Sequence, residues 1–246
     1  MNRKQFLGIL SLTPILYAMK TVNELFSYKD ILPNTAKMPV LFLGHGSPMN
    51  AIEENEFVTG FRNIAKTIPT PTAILCISAH WFTKGTKVTA MEIPQTIHDF
   101  GGFPKELFEV ILVDDNSDGS LTGQAHFDMA QKLQSLRNKG ILIIGSGNIV
   151  HNLRMIDWAN FDKDNYGFDW AIEAREKINK NIIDGDFANL INYQKQGKAF
   201  ELAIPTPDHY LPLLYTLGLK KESENIQLFN DKLLAGSLSM TSVKIG

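Results

Sequence analysis

Three apolar runs in this chain stop abruptly at small residues, and each is followed, at once or within a few positions, by a histidine. They are Val40-Leu41-Phe42-Leu43-Gly44-His45-Gly46-Ser47-Pro48, Ala73-Ile74-Leu75-Cys76-Ile77-Ser78-Ala79-His80-Trp81, and Ile141-Leu142-Ile143-Ile144-Gly145-Ser146-Gly147-Asn148-Ile149-Val150-His151. A short continuous apolar run bounded by turn residues reads as a strand buried on both faces. In open α/β sheets, ligands bind beyond the carboxyl ends of the strands. The pattern therefore predicts histidines from distant parts of the chain converging at one end of a sheet.

Helical patterns separate these runs. Phe57, Phe61, Ile64 and Ala65 recur at helical spacing within about 53–67, and Pro69 and Pro71 end that segment. Phe127, Ala130, Leu133 and Leu136 mark one face of a helix from about 123 to 138, with Gly140 just past its end. Further helices are expected at about 169–181 and 186–195, and Pro207 and Asp208 read as first-turn residues of a segment running from His209 to Leu217. The segment 87–91 is β-like, 96–104 is a glycine-rich aromatic loop, 107–113 reads as a strand, and 114–120 is a polar turn. The closing 236–245 alternates like a strand. Strands alternating with helices predict a single α/β domain, its central sheet mostly parallel or mixed and flanked by helices.

Composition bounds the function. With 246 residues, 44% of them hydrophobic, the chain can bury a substantial core. A net charge of -2 without blocks of like charge argues against a general nucleic-acid surface. The lone Cys76 cannot form an intramolecular disulfide and reads as a small core residue. No GxGxxG or Walker A loop follows a strand, and neither HExxH nor a GxSxG elbow is present. Residues 1–38 stand apart: Arg3 and Lys4 precede a short apolar run ending at Met19, with no clean cleavage site before Lys20. Two readings stay open for this extension, an export or membrane-tethering segment and an amphipathic helix lying on the domain. Membrane contact is expected only through it.

Histidine is both the commonest metal ligand and the usual general base near neutral pH. A non-haem ferrous site needs few protein ligands and open positions for oxygen and substrate, which ligands at strand ends can provide. Of the six histidines, His45 between two glycines and His151 in a strand-end loop point to a site; His80 and His209 read equally well as site or structural residues. His98 either binds substrate or caps a turn. His126, within a good helix, reads as a surface or boundary residue. A zinc hydrolase on the same histidines lacks an obvious carboxylate base.

Five segments go further: Leu43 to Asn50, Ser78 to Thr83, Thr96-Ile97-His98-Asp99-Phe100-Gly101-Gly102-Phe103-Pro104, Ser146 to Leu153, and Pro205-Thr206-Pro207-Asp208-His209-Tyr210-Leu211-Pro212. Together, in this order, they resemble the DOPA-dioxygenase type of class III extradiol ring-cleavage dioxygenases, from Met38 to Gly246. The resemblance implies one divalent metal, Fe(II) in active enzymes and sometimes Zn(II) as isolated. It implies His45, His80 and His209 as ligands, and His151 as an acid/base close enough to the metal to be counted as a fourth ligand. His98, Asp99 and Phe100 would line the substrate cleft. The substrates would be a catechol such as DOPA and O2, the product a ring-opened semialdehyde, and the location cytoplasmic. One departure stands out: around 109–123 the chain is shorter than the family pattern, and an Asp-His-Gly-Ser-Trp motif has no counterpart. The alternative expectation is a metal-binding relative, catalytically impaired because part of its substrate wall is missing.

Overall fold

The computed structural model describes residues 32–80 and 121–246, together with the backbone of two-residue strands at 20–21, 82–83, 87–88 and 117–118. Five strands form the main sheet: β1 (Val40–Gly44), β2 (Ala73–Ser78), β3 (Ile141–Gly147), β4 (Ile226–Phe229) and β5 (Ser242–Ile245). Their order is β2-β3-β1-β5-β4. The first three are parallel, and β5 runs antiparallel to both β1 and β4. The sheet is therefore mixed, and its parallel half holds the three apolar runs.

Alternation along the strands divides the core. Val40, Phe42, Ile141, Ile143, Val243 and Ile245 face one layer of helices, while Leu41 and Leu142 face the other with Met38 and Ile64. On the second face lies α1 (Glu56–Ala65), whose first turn is capped by Asn55 accepting from the Val58 amide. On the first lie α2 (Gly123–Leu133), α3 (Asp169–Asp184), the short α4 (Phe187–Ile191) and α5 (Lys198–Ala203), and α6 (Leu211–Gly218). Every residue of α6 is buried, as expected of a helix apolar on all sides. It fits against β3 because Gly145 lacks a side chain: a Cβ there would lie 2.5 Å from the Pro212 carbonyl oxygen. Leu32 also packs into the larger cluster, so the core already includes chain ahead of Met38.

Several expectations shift. The predicted 123–138 helix is α2 followed by a 3-10 segment to Lys139, closed by Gly140 at φ 73°. Pro207 and Asp208 are not in the first turn of a helix. They belong to a separate turn in which the Tyr210 and Leu211 amides both donate to the Pro207 carbonyl, and α6 begins only at Leu211. The closing segment is two strands, 238–239 and β5. Between them Thr241 turns its hydroxyl to Asp231 and its amide to Ser239 Oγ, so side-chain bonds replace the ladder. Ser117–Asp118, expected within a turn, pairs in parallel with Phe82–Thr83. Cys76 is half-buried rather than a core residue, because its strand β2 bounds the described sheet. The predicted strand at 107–113 and the loop at 96–104 lie outside the described residues.

Candidate metal centre

Each parallel strand delivers part of the site at its carboxyl end. Past β1, the His45 amide donates to the Gly147 carbonyl (3.1 Å), continuing the ladder by one step. Past β2, Ala79 donates to the Ser146 carbonyl (3.0 Å), and His80 follows. Past β3, Asn148 donates to the His209 carbonyl (2.8 Å), which ties the turn before α6 to the sheet. His151 is fixed by its amide, which donates to Ala203 at the end of α5 (2.8 Å), and by an isolated bridge to Leu238. Four histidines separated by as much as 164 positions in sequence are thus held by backbone hydrogen bonds to rigid elements.

The rings form a compact group. Ring centroids of His45, His80 and His209 lie 5.0, 5.3 and 5.1 Å apart. One ring nitrogen from each lies within 4.8 Å of the others. His45 Nε2 and His80 Nε2 are 3.2 Å apart. Two nitrogens bound to one ion at about 2.0–2.1 Å, in tetrahedral to octahedral geometry, stand roughly 2.9–3.4 Å apart, so this pair fits a shared ion. His151 is outside the three-nitrogen set. It stacks on His209 with centroids 3.5 Å apart and planes 8° from parallel.

The protonation pattern suits metal binding. Burial, and then the neighbouring His209, His80 and His151, hold His45 well below the usual histidine range. His151 is pushed down to about 3, chiefly by burial and next by His209, with Asp208 acting in the opposite direction. Both rings are therefore neutral near pH 7, as ligands and general bases must be. Burial alone would raise Asp208, yet its hydrogen bonds with His209 and Thr206 hold its carboxyl well below the ordinary carboxylate range. An ionised carboxylate only accepts, so the His209–Asp208 bond places a proton on His209 Nδ1, and Nε2 is the ring nitrogen that could take an ion.

The structure thus brings together His45, His80, His151 and His209, while His98, Asp99 and Phe100 lie outside the described residues. His126 corrects an expectation. It is fully buried rather than at a boundary, because Nδ1 reaches the hydroxyl of Tyr215 on α6 at 3.1 Å. Sequence reasoning missed Asp208 and Ser146 as partners of the site. A carboxylate directly before a candidate ligand was a usable signal for Asp208; nothing local marked Ser146.

Gly147 has a specific reason to be glycine. A Cβ there would sit 2.2 Å from the His209 carbonyl oxygen. Gly147→Ala should cost about 1–3 kcal/mol through overpacking. It should also weaken divalent-metal binding by displacing the His209 turn. Thermal unfolding together with a zinc titration checks both; a variant equal to wild type in each contradicts the placement of that turn.

Comparison with known proteins now bears on these residues. No family model matches the sequence. The chain is 37% identical, over 270 aligned positions, to the Escherichia coli (strain K12) protein named 4,5-DOPA dioxygenase extradiol, covering 89% of this chain and 98% of that one. A protein of the same name from Beta vulgaris is 25% identical and covers 82% of this chain and 94% of its own length. The crystal structure of an uncharacterized protein from Escherichia coli K12 matches with a TM-score of 0.70 and 35% identity, over 85% of this chain and all of that one. At such identity, extending over nearly the whole of the bacterial relative, the chain belongs to the extradiol 4,5-DOPA dioxygenase family.

Proposed function

We propose that this chain is a metal-dependent extradiol ring-opening dioxygenase acting on a catechol such as DOPA, with Fe(II) as the active metal and Zn(II) as an ion the same site accepts. The observation that carries the reading is the convergence of three imidazole nitrogens within 4.8 Å beside a fourth, neutral imidazole. His45, His80 and His209 hold the ion. When bound, ferrous iron supplies Lewis acidity that makes a phenol acidic and a redox link between an aromatic diol and dioxygen. His151 then acts as the base, accepting a proton from a substrate hydroxyl at a ring nitrogen. Its stack on His209 fixes the ring plane, and the nearby Asp208 carboxylate favours the protonated state it passes through. Both atoms of O2 end in the product and the diol supplies the electrons, so no separate reductant is required. His98, Asp99 and Phe100 are the residues we assign to the substrate, by resemblance alone.

A second reading is favoured by one observation. The alignment to the Escherichia coli relative runs to 270 positions, longer than the 246 residues here, so this chain carries gaps against that relative; by the order of the motifs alone, we place the shortening near 109–123 within a catalytic unit spanning 39–246. Such a chain would bind metal without turnover. No helix among the described residues is long and apolar enough to cross a membrane. By resemblance to the family, the cytoplasm is the proposed location, with residues 1–38 as the route to export or tethering.

Oxygen uptake separates the two readings. Protein loaded with iron under anaerobic conditions and mixed with DOPA should consume oxygen and form a yellow ring-opened product on exposure to air. His151→Ala should slow turnover by about 10²–10⁴-fold while iron stays bound. Folded, iron-loaded wild type that takes up no oxygen with any catechol would establish the impaired-relative reading.

A further inference from the structure

We infer that Ser146 is a positioning residue that selects which nitrogen of His45 faces the metal site; the inference rests on the metal-site reading above. Ser146 lies in β3, between the other two parallel strands, opposite Leu43 of β1 and Ser78 of β2. Its carbonyl holds the chain next to His80 by accepting from Ala79 at 3.0 Å. Its Oγ lies 3.0 Å from His45 Nδ1. One residue therefore touches the approaches to two of the three proposed ligands.

His45 is pinned at its backbone but not in its tautomer. Its amide donates to Gly147, and its carbonyl accepts from Asn50 Nδ2 at 2.9 Å; Asn50 in turn accepts from Asn55, the cap of α1. None of these contacts touches the ring. A neutral imidazole carries its proton on Nδ1 or on Nε2. With the proton on Nδ1, it is donated to Ser146 Oγ, and the Nε2 lone pair points to the space shared with His80. With the proton on Nε2, the N–H faces His80 Nε2 at 3.2 Å, and the two rings bond to each other across the site. Among the described residues, Ser146 is the side chain within hydrogen-bond reach of Nδ1. A hydroxyl both donates and accepts, so it pairs with Nδ1 in either tautomer; what it fixes is the ring, with Nδ1 held on Ser146 and Nε2 turned to the site, and it accepts the Nδ1 proton once Nε2 holds an ion. Partners of this kind are worth about 10–100-fold in metal affinity.

The test uses zinc alone, with histidine-labelled full-length protein. Long-range proton–nitrogen correlation reads the His45 tautomer, chelator competition reads zinc affinity, and thermal unfolding reads stability. Zinc-loaded wild type is expected to hold the ion through His45 Nε2, with the proton on Nδ1. Ser146→Ala is expected to bind zinc about 10–100-fold more weakly and, when zinc-loaded, to hold the ion in part through His45 Nδ1. Ser146→Thr, which restores the hydroxyl, should return affinity to within about threefold of wild type. Zinc-loaded wild-type His45 with its proton on Nε2, or Ser146→Ala binding zinc within twofold of wild type, overturns the inference while leaving the metal site in place. Undiminished zinc binding in His45→Ala overturns the metal-site reading and the inference with it. The wild-type tautomer decides the matter even if Ser146→Ala does not fold.

Discussion

Replacing His209 with alanine should abolish the proposed catechol-dependent oxygen uptake and, if His209 is a ligand as proposed, weaken divalent-metal binding by more than about 100-fold, since disturbing only the partners of a ligand costs 10–100-fold. The expectation is large because this ring serves three neighbours at once. It supplies one of the three clustered nitrogens, it donates Nδ1–H to Asp208, and it stacks on His151. The substitution therefore removes a proposed ligand, strips a carboxylate of a partner, and frees the plane of the proposed base. Its fold should survive, because the backbone contacts of the turn run through the Pro207 carbonyl and the Asn148 amide rather than the side chain. Zinc competition and oxygen consumption, with thermal unfolding as the control for folding, check the outcome. Tight metal binding in a folded His209→Ala would remove His209 from the ligand set.

Much of this site is legible in the amino-acid sequence, for a physical reason. A strand buried on both faces must be apolar throughout, so β1, β2 and β3 announce themselves as runs, and the residue after each run is delivered to the same end of a parallel sheet. His45 follows from that alone, while His80 is delivered to the same end but by itself reads equally well as a structural residue. His209 does not follow from it, because its place depends on α6 packing across β3 at Gly145, a contact between segments some 65 positions apart. Local pattern failed wherever the deciding partner was distant. His126 looks like a helix-surface residue until Tyr215, 89 positions away, is brought to its ring. The six-residue α5 went unpredicted. Its buried Ala199, Phe200 and Ala203 span too little chain to display a period, yet its last carbonyl anchors His151. Ser146 reads in sequence as one small residue in a strand-end turn, and its meaning comes from the register that sets it between Leu43 and Ser78.

The largest stability effect should come from Arg137, far from the histidines. This side chain is 1% exposed and uses nearly all of its donors. Nε donates to the Met38 carbonyl at 2.8 Å, Nη1 to the Leu219 carbonyl at 2.8 Å and to Glu224 at 2.9 Å, and Nη2 to the other carboxylate oxygen of Glu224. It thereby fastens the chain entering β1 to the chain leaving α6. Lys37 and the Lys221 amide complete the shell around Glu224, whose side chain is 8% exposed. Arg137→Ala leaves that carboxylate short of a partner, removes the side-chain donor from the Met38 carbonyl, and leaves the Leu219 carbonyl only the long contact from Gln134 Nε2 at 3.4 Å. A cost of about 3–5 kcal/mol is expected, against a total of roughly 5–15 kcal/mol for a domain. At roughly 2–4 °C per kcal/mol for a chain of this size, the unfolding midpoint should fall by about 6–20 °C. The pair also sets an acid limit. Burial alone would raise Glu224, but the hydrogen bonds from Arg137 and Lys37 bring it from its ordinary 4.5 down to about 2. A carboxyl depressed in the folded state contributes stability that is complete above the unfolded value and lost as pH falls through the folded one. Wild type should therefore lose this contribution between about pH 5 and pH 2, and Arg137→Ala, having lost most of it already, should unfold with a shallower dependence on acid over the same range. Joint replacement, Arg137→Met with Glu224→Leu, should recover part of the loss, because it removes the buried charge along with its partner. An Arg137→Ala midpoint within about 2 °C of wild type would show that the network is held by Lys37 and the backbone alone.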